Sequence, residues 1–233
     1  DIAAATELQC EVTDASLVWG FKETFRAYID GSIANGEWTT EGNASYATPN
    51  FTWSDGAGGA DEEGALDVAF SGAVRFVGHG GVLDTTVENP RVLIDGDRAV
   101  LLLDVNGTTQ SGDPVNEVGV EFAELDLTTA TRTHEGDTLT IADIPAVLTA
   151  DGSAAFGTYP AGESLDPLTL TASVATDCAS EAETPSAAPS GDVLEPEQTA
   201  DTGWPVWATV LLIALLAAAI IAAVVVLVRR RRP

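Results

Sequence analysis

ALDVAFSGAVRFVGHGGVLDTTVENPRVLIDGDRAVLLLDVNG, residues 65–107, decides the fold. Its apolar residues alternate with polar ones or gather in short β-branched runs. Gly80–Gly81, Asn89–Pro90 and Asp95–Gly96 interrupt them with residues suited to tight turns. EVGVEFAELDL (117–127), TLTIADI (138–144) and LTLTASVA (168–175) continue the pattern. The expectation is a mainly β domain, an antiparallel sandwich or flattened barrel, with one or two short helices. PAVLTADGSAAFG (145–157) suits either a helix or a strand.

Upstream, SLVWGFKETFRAYIDGSIANGEW (16–38) places Leu17, Phe21, Phe25 and Tyr28 at spacings of four, four and three. That spacing predicts one helical face, with Asp14 and Ser16 as possible N-caps. Downstream, residues 179–203 are rich in Pro, Ser, Ala and acids and predict a disordered stalk. From Val206 to Val228 the chain carries no charge, Gly or Pro. At about 1.5 Å per residue this run reaches roughly 34 Å, enough for a membrane-spanning helix. Trp204 and Trp207 mark its outer end, and Arg229, Arg230, Arg231 and Arg232 its cytoplasmic end. The expected layout is an ectodomain (1–178), a stalk (179–203), a transmembrane helix (204–228) and a basic tail (229–233). The protein is thus expected in the cell membrane, single-pass, with its N-terminus outside.

The chain begins at Asp1 and has no Met, which fits a removed secretory signal. Cys10 and Cys178 are its only cysteines and are expected to form one disulfide closing the domain. The formal net charge is −26. Apart from the terminal arginines, only Lys22, Arg26, Arg75, Arg91, Arg98 and Arg132 oppose 36 acids. Such a field repels phosphate backbones and excludes nucleic-acid binding. No P-loop, nucleophile triad or dinucleotide fingerprint is present, and His79 and His134 are the only imidazoles. Nothing marks an enzyme. Asn43, Asn50 and Asn106 match the glycosylation triplet, a pattern too short to carry a conclusion.

Three stretches in order, SLVWGFKETFRAYIDGSIANGEW (16–38), FSGAVRFVGHGGVLDTTVENPRVLID (70–95) and FGTYPAGESLDPLTL (156–170), resemble the HtaA family of actinobacterial surface haem-binding domains, over roughly residues 10–176. The resemblance implies ferric protoporphyrin IX haem held by Tyr28, with His79 hydrogen-bonded to that phenol. A hard ferric ion favours an anionic oxygen, and a neighbouring imidazole takes up or shares the proton the phenol must lose. Read from the residues alone, Tyr28 is a core aromatic and His79 a turn histidine; the resemblance reverses that reading. Tyr159 is expected either to border the pocket or to pack near the C-terminal strand. Phe25 and Arg26 are expected beside the ligand, Arg26 meeting a propionate. Lys22 is a candidate surface residue, Trp19 and Phe21 are wall or core, and His134 is an exposed loop residue.

The resemblance further implies partners: other HtaA-like surface proteins, the haem-carrier lipoprotein of an ABC importer, and haemoglobin as a source. The alternative is a β adhesin or structural surface domain without ligand. TADTG (199–203) also resembles a sortase signal, although Thr199 stands where Leu is expected.

Overall fold

The computed structural model describes residue 8 and residues 10–174. The stalk, the membrane-spanning segment, the basic tail and Cys178 lie outside the described residues. Among the described residues no helix is long and apolar enough to cross a membrane. Cys10 is not a free thiol.

Twelve strands and two helices follow one another: β1 (Cys10–Trp19), α1 (Glu23–Asp30), β2 (Glu37–Glu41), β3 (Ala44–Ala47), β4 (Asn50–Ala60), β5 (Leu66–Ala69), β6 (Ala73–Gly78), β7 (Leu83–Asp95), β8 (Arg98–Thr108), β9 (Pro114–Leu125), β10 (Thr131–Glu135), β11 (Thr138–Leu148), α2 (Ala150–Phe156) and β12 (Ser164–Val174). A 3₁₀ turn, His79–Gly81, joins β6 to β7. All strand pairings are antiparallel. The strands β7, β5, β4, β1, β12, β11, β9 and β8 pair in that order, and β8 pairs back with β7. The path closes, so of the two expected architectures the barrel is the one formed. On β7, residues 83–88 pair with β6 and residues 91–94 with β5, so β6 and β2 branch off as a flap.

The helix predicted from Leu17 begins only at Glu23. Residues 10–19 form β1 because Val12, Ala15, Leu17 and Trp19 all turn inward, each at most 1 % exposed. A shift in pairing between Thr13 and Ser16, with Asp14 at φ 49°, keeps both halves of that strand facing the core. Leu17 satisfies helical and strand spacing alike, and its pairing with β4 and β12 decides for the strand. Asp14 and Ser16 therefore cap nothing. Asp166 Oδ1 instead accepts the Glu23 backbone N–H at 3.0 Å. Its negative charge sits where the helix dipole favours it.

Within 145–157 both anticipated states occur in succession. Residues 145–148 complete β11, and α2 follows, with Thr149 Oγ1 accepting from Gly152 N at 2.9 Å and Gly157 ending it at φ 68°. Strands β2, β3 and β4 carry no clear signal in the sequence, because Thr, Ser, Gly and Asp occupy most of their outward positions. His134 lies in β10 and is half-buried, not in an exposed loop; its Nε2 is enclosed with no hydrogen-bond partner among the described residues.

The core is held around one ring. Phe21 lies 4.6 Å from Trp19, 5.0 Å from Phe156, 5.3 Å from Phe76, 5.6 Å from Phe25 and 5.7 Å from Phe122, between ring centroids. It is 1 % exposed, and its φ of 63° swings the chain from β1 into α1. Replacing Phe21 with Ala should destabilise the domain by about 3–5 kcal/mol. Chemical denaturation of the two proteins checks this, and a loss below about 1 kcal/mol would place the hub elsewhere.

Candidate functional site

Three turns and a helix meet at one end of the barrel. Helix α1 presents Tyr28, half-buried, with its ring 6.1 Å from Phe25. The turn between β6 and β7 presents His79, exposed and in a left-handed conformation at φ 53°. Tyr28 Oη and His79 Nε2 are hydrogen-bonded across 51 positions of sequence. The backbone fixes this meeting from both sides. His79 N donates to Ala34 O at 2.7 Å, tying the turn to the loop after α1. Thr108 Oγ1 donates to Val82 O at 2.8 Å, tying it to the end of β8.

The third contributor comes from the turn between β8 and β9. There Gln110 Nε2 donates to Tyr28 Oη at 3.0 Å. The sequence gives no warning of Gln110, which stands in an unpatterned polar turn, TTQSGDP (108–114). Thr109, beside it, is buried and braces the turn through Thr109 N to Asp113 O and Gly112 N to Thr109 O, both 2.9 Å.

Tyr159, on the turn after α2, shares the same floor. Its ring stacks on Phe156 at 6.5 Å and meets Phe25 edge-on at 6.4 Å, and its hydroxyl lies 3.4 Å from Thr24 Oγ1. Phe25 therefore supports both tyrosines from beneath. It is fully buried, so it reaches no surface ligand directly, and the expectation of Phe25 as a contact residue is corrected to that of a support.

Arg26 is likewise committed elsewhere. It is 8 % exposed and donates from Nη1 to Asp166 Oδ2 at 2.6 Å and to Gly20 O. A guanidinium so enclosed needs its carboxylate, which leaves it no reach toward a propionate. Its structural task is clear: with Trp19 Nε1 donating to Asp166 O at 3.0 Å, it locks the Gly20–Lys22 bend to the start of β12. Lys22, expected at the surface, instead bonds Ser164 O at 2.7 Å and Glu163 at 2.8 Å, with Nζ 5.2 Å from the Tyr159 ring centre. Trp19 and Phe21 prove to be core.

The space over the Tyr28–His79 pair is open. A Cβ placed on Gly80 or Gly81 would meet nothing within 4 Å, and Val82 (50 % exposed) and Ile33 (74 % exposed) present apolar side chains on the two adjoining loops. A hollow of about 300 Å³ runs beside the glycines, lined by Asp30, Asn35, Gly36 and Val77. Another hollow, about 740 Å³, is lined by the 109–114 turn together with Glu117, Glu121 and Asp151. Its polarity and charge suit no anionic ligand. Among the described residues no group of His, Cys, Asp and Glu has the arrangement of a metal site.

The Htaa family model matches residues 14–171. Among solved structures, the C-terminal domain of HtaA from Corynebacterium glutamicum is 30 % identical, with TM-score 0.64, covering 71 % of this chain and 99 % of that one. The N-terminal domain of the same protein is also 30 % identical, with TM-score 0.57, over 70 % and 97 %. The haem-binding protein HtaB of C. glutamicum is 26 % identical, with TM-score 0.56, over 70 % and 94 %. A search of curated proteins returns no match.

The hairpin that carries His79 is clamped close to its turn. Arg75 on β6 grips Asp84 on β7 through two bonds of 2.6 Å, and that hydrogen bonding holds the Asp84 carboxyl below its ordinary value of 3.8. A carboxylate with a lowered folded value stabilises the fold above its unfolded value and loses that contribution as pH falls through the folded one. Asp84→Asn should therefore melt earlier than the native protein at neutral pH. The gap should close as the pH is taken below 3.8. Thermal melts across that range decide it, and a gap independent of pH would assign the loss to packing.

Proposed function

Because the chain belongs to the Htaa family, we propose that it is a haem-binding protein of the cell surface, holding ferric protoporphyrin IX through the Tyr28 phenolate with His79 as its partner. One observation carries this: a phenol and an imidazole, brought together from distant segments, share a hydrogen bond at an open surface. A phenol alone is a poor ligand at neutral pH, since it must give up a proton first. His79 Nε2 stands where that proton goes, and the imidazole then donates back to the oxygen. The open ground over Gly80 and Gly81 leaves room for a flat ligand to approach. Ile33 and Val82 offer it apolar contact. Haem, when bound, supplies the ferric ion that the phenolate oxygen meets. Tyr159, on the same aromatic floor, borders the site.

In this proposal the protein captures haem outside the cell, from haemoglobin among other sources, and passes it to HtaA-like surface proteins and to the carrier lipoprotein of an ABC importer. It performs no chemical conversion. Residues 204–228 anchor it in the membrane, residues 179–203 carry the domain outward, and Cys10 pairs with Cys178. The sharing of HtaA-type folds with the C. glutamicum domains supports the haem assignment over that of a ligand-free adhesin.

Titration of the protein with hemin should produce a Soret band with ferric high-spin features. Tyr28→Ala should weaken binding by at least about tenfold, equivalent to roughly 1.4 kcal/mol, and change that spectrum. If the variant binds hemin with the same spectrum and affinity, Tyr28 is not the ligand. Fractionation of producing cells tests the anchor: the intact chain should stay with the membrane, and both cysteines should resist alkylation until reduced. A fragment ending at Thr202 and linked to wall material would show sortase transfer in place of a retained helix.

A further inference from the structure

Tyr28 has two hydrogen-bonding neighbours, and they differ in kind. Gln110 Nε2 lies 3.0 Å from the phenol oxygen, and an amide nitrogen only donates. With that donor in place, the single phenol proton is free to point at His79 Nε2, which then accepts as the Nδ1–H tautomer. Loss of the proton reverses the bond to His79 and leaves the bond from Gln110 unchanged. A phenolate oxygen has three lone pairs, so it can serve an iron ion and accept from both neighbours at once.

Resting on the proposed Tyr28 ligation, we infer that Gln110 is a positioning residue for the ligand, a neutral second donor that holds the phenolate oxygen in place and sets its donor strength. The turn that delivers it is built for constancy. Thr109 is buried, its backbone closes the turn onto Asp113 and Gly112, and its Oγ1 accepts from Asp113 N at 3.3 Å. The end of α2 packs on it, since a Cβ on Gly157 would lie 2.7 Å from Thr109 Cγ2. Gln110 and His79 reach Tyr28 from different hairpins, which the Thr108 Oγ1–Val82 O bond ties together. A donor withdraws electron density from an anionic oxygen, and its removal makes that oxygen a stronger ligand to ferric iron.

The test uses the full chain in detergent, loaded with hemin, as the native protein, Gln110→Leu, Gln110→Glu and Tyr28→Phe. Gln110 is exposed, and the Leu variant should fold as the native protein does. Its tyrosinate-to-iron charge-transfer band should move to longer wavelength and its ferric/ferrous potential should fall, two changes that a merely structural role would not produce. Gln110→Glu sets a second anion against the phenolate and should release haem to apomyoglobin roughly tenfold faster. If band and potential are unchanged in Gln110→Leu while Tyr28→Phe abolishes the band, this inference falls alone. A band that survives Tyr28→Phe overturns the ligand assignment and Gln110's role with it.

Discussion

The structure depends on how the chain turns at Phe21. A non-glycine residue at positive φ is strained, and strain of this kind persists only where the surroundings over-determine it. Here five aromatic rings surround the side chain, contributed by β1, α1, β6, β9 and α2. The same turn that places Phe21 in their midst ends a barrel strand and starts the helix that carries Tyr28. Backbone geometry, core and site share one residue.

Asp166 secures that turn from outside. It caps α1, neutralises the buried Arg26 and takes the Trp19 indole on its carbonyl, while Asp166 N donates to Phe21 O at 3.0 Å. Four bonds from one residue therefore fix the bend by which α1 leaves the barrel. The site contributes no comparable stabilisation of its own: Tyr28 is half-buried, His79 and Gln110 are exposed, and each is placed by the element behind it. Exposed contacts are worth little individually. Pre-organisation here comes from the barrel and is delivered to the surface.

Period-two alternation made the strands within 65–107, 117–127, 138–144 and 168–174 legible, because it follows directly from side chains facing alternately in and out. The break expected at Asn89–Pro90 is no chain reversal, since β7 runs through it. The motifs containing Tyr28 and His79 were legible through family resemblance, and the structure brings those two side chains together. Other features rest on contacts between remote positions. The cap of α1 lies 143 positions from the helix it serves, and Gln110 lies 82 positions from Tyr28. Arg26 shows the converse error. Its place on α1 near Tyr28 suggested a role toward ligand, yet which way a side chain leaves a helix, and what meets it, depends on the partner strand. The period of four from Leu17 to Phe25 misled for a related reason: it is consistent with a helix, and only pairing with β4 and β12 makes the first half a strand.

Charge bears on what kind of binding such a site allows. Lys22, Arg26, Arg75, Arg91 and Arg98 each pair with a carboxylate of the domain. On the haem-binding proposal, those five cations are spent within the fold, and the propionates of a ligand meet a surface whose net charge is strongly negative. Attraction over distance then works against capture, since like charges repel and salt screens that repulsion. On the same proposal, what remains to hold the ligand is apolar contact at an open face and the bond to Tyr28, beside its two hydrogen-bonding neighbours. A site of this design joins apolar contact to a single oxygen ligand. Hand-over, on that proposal, replaces both the bond and the apolar contact by a partner's.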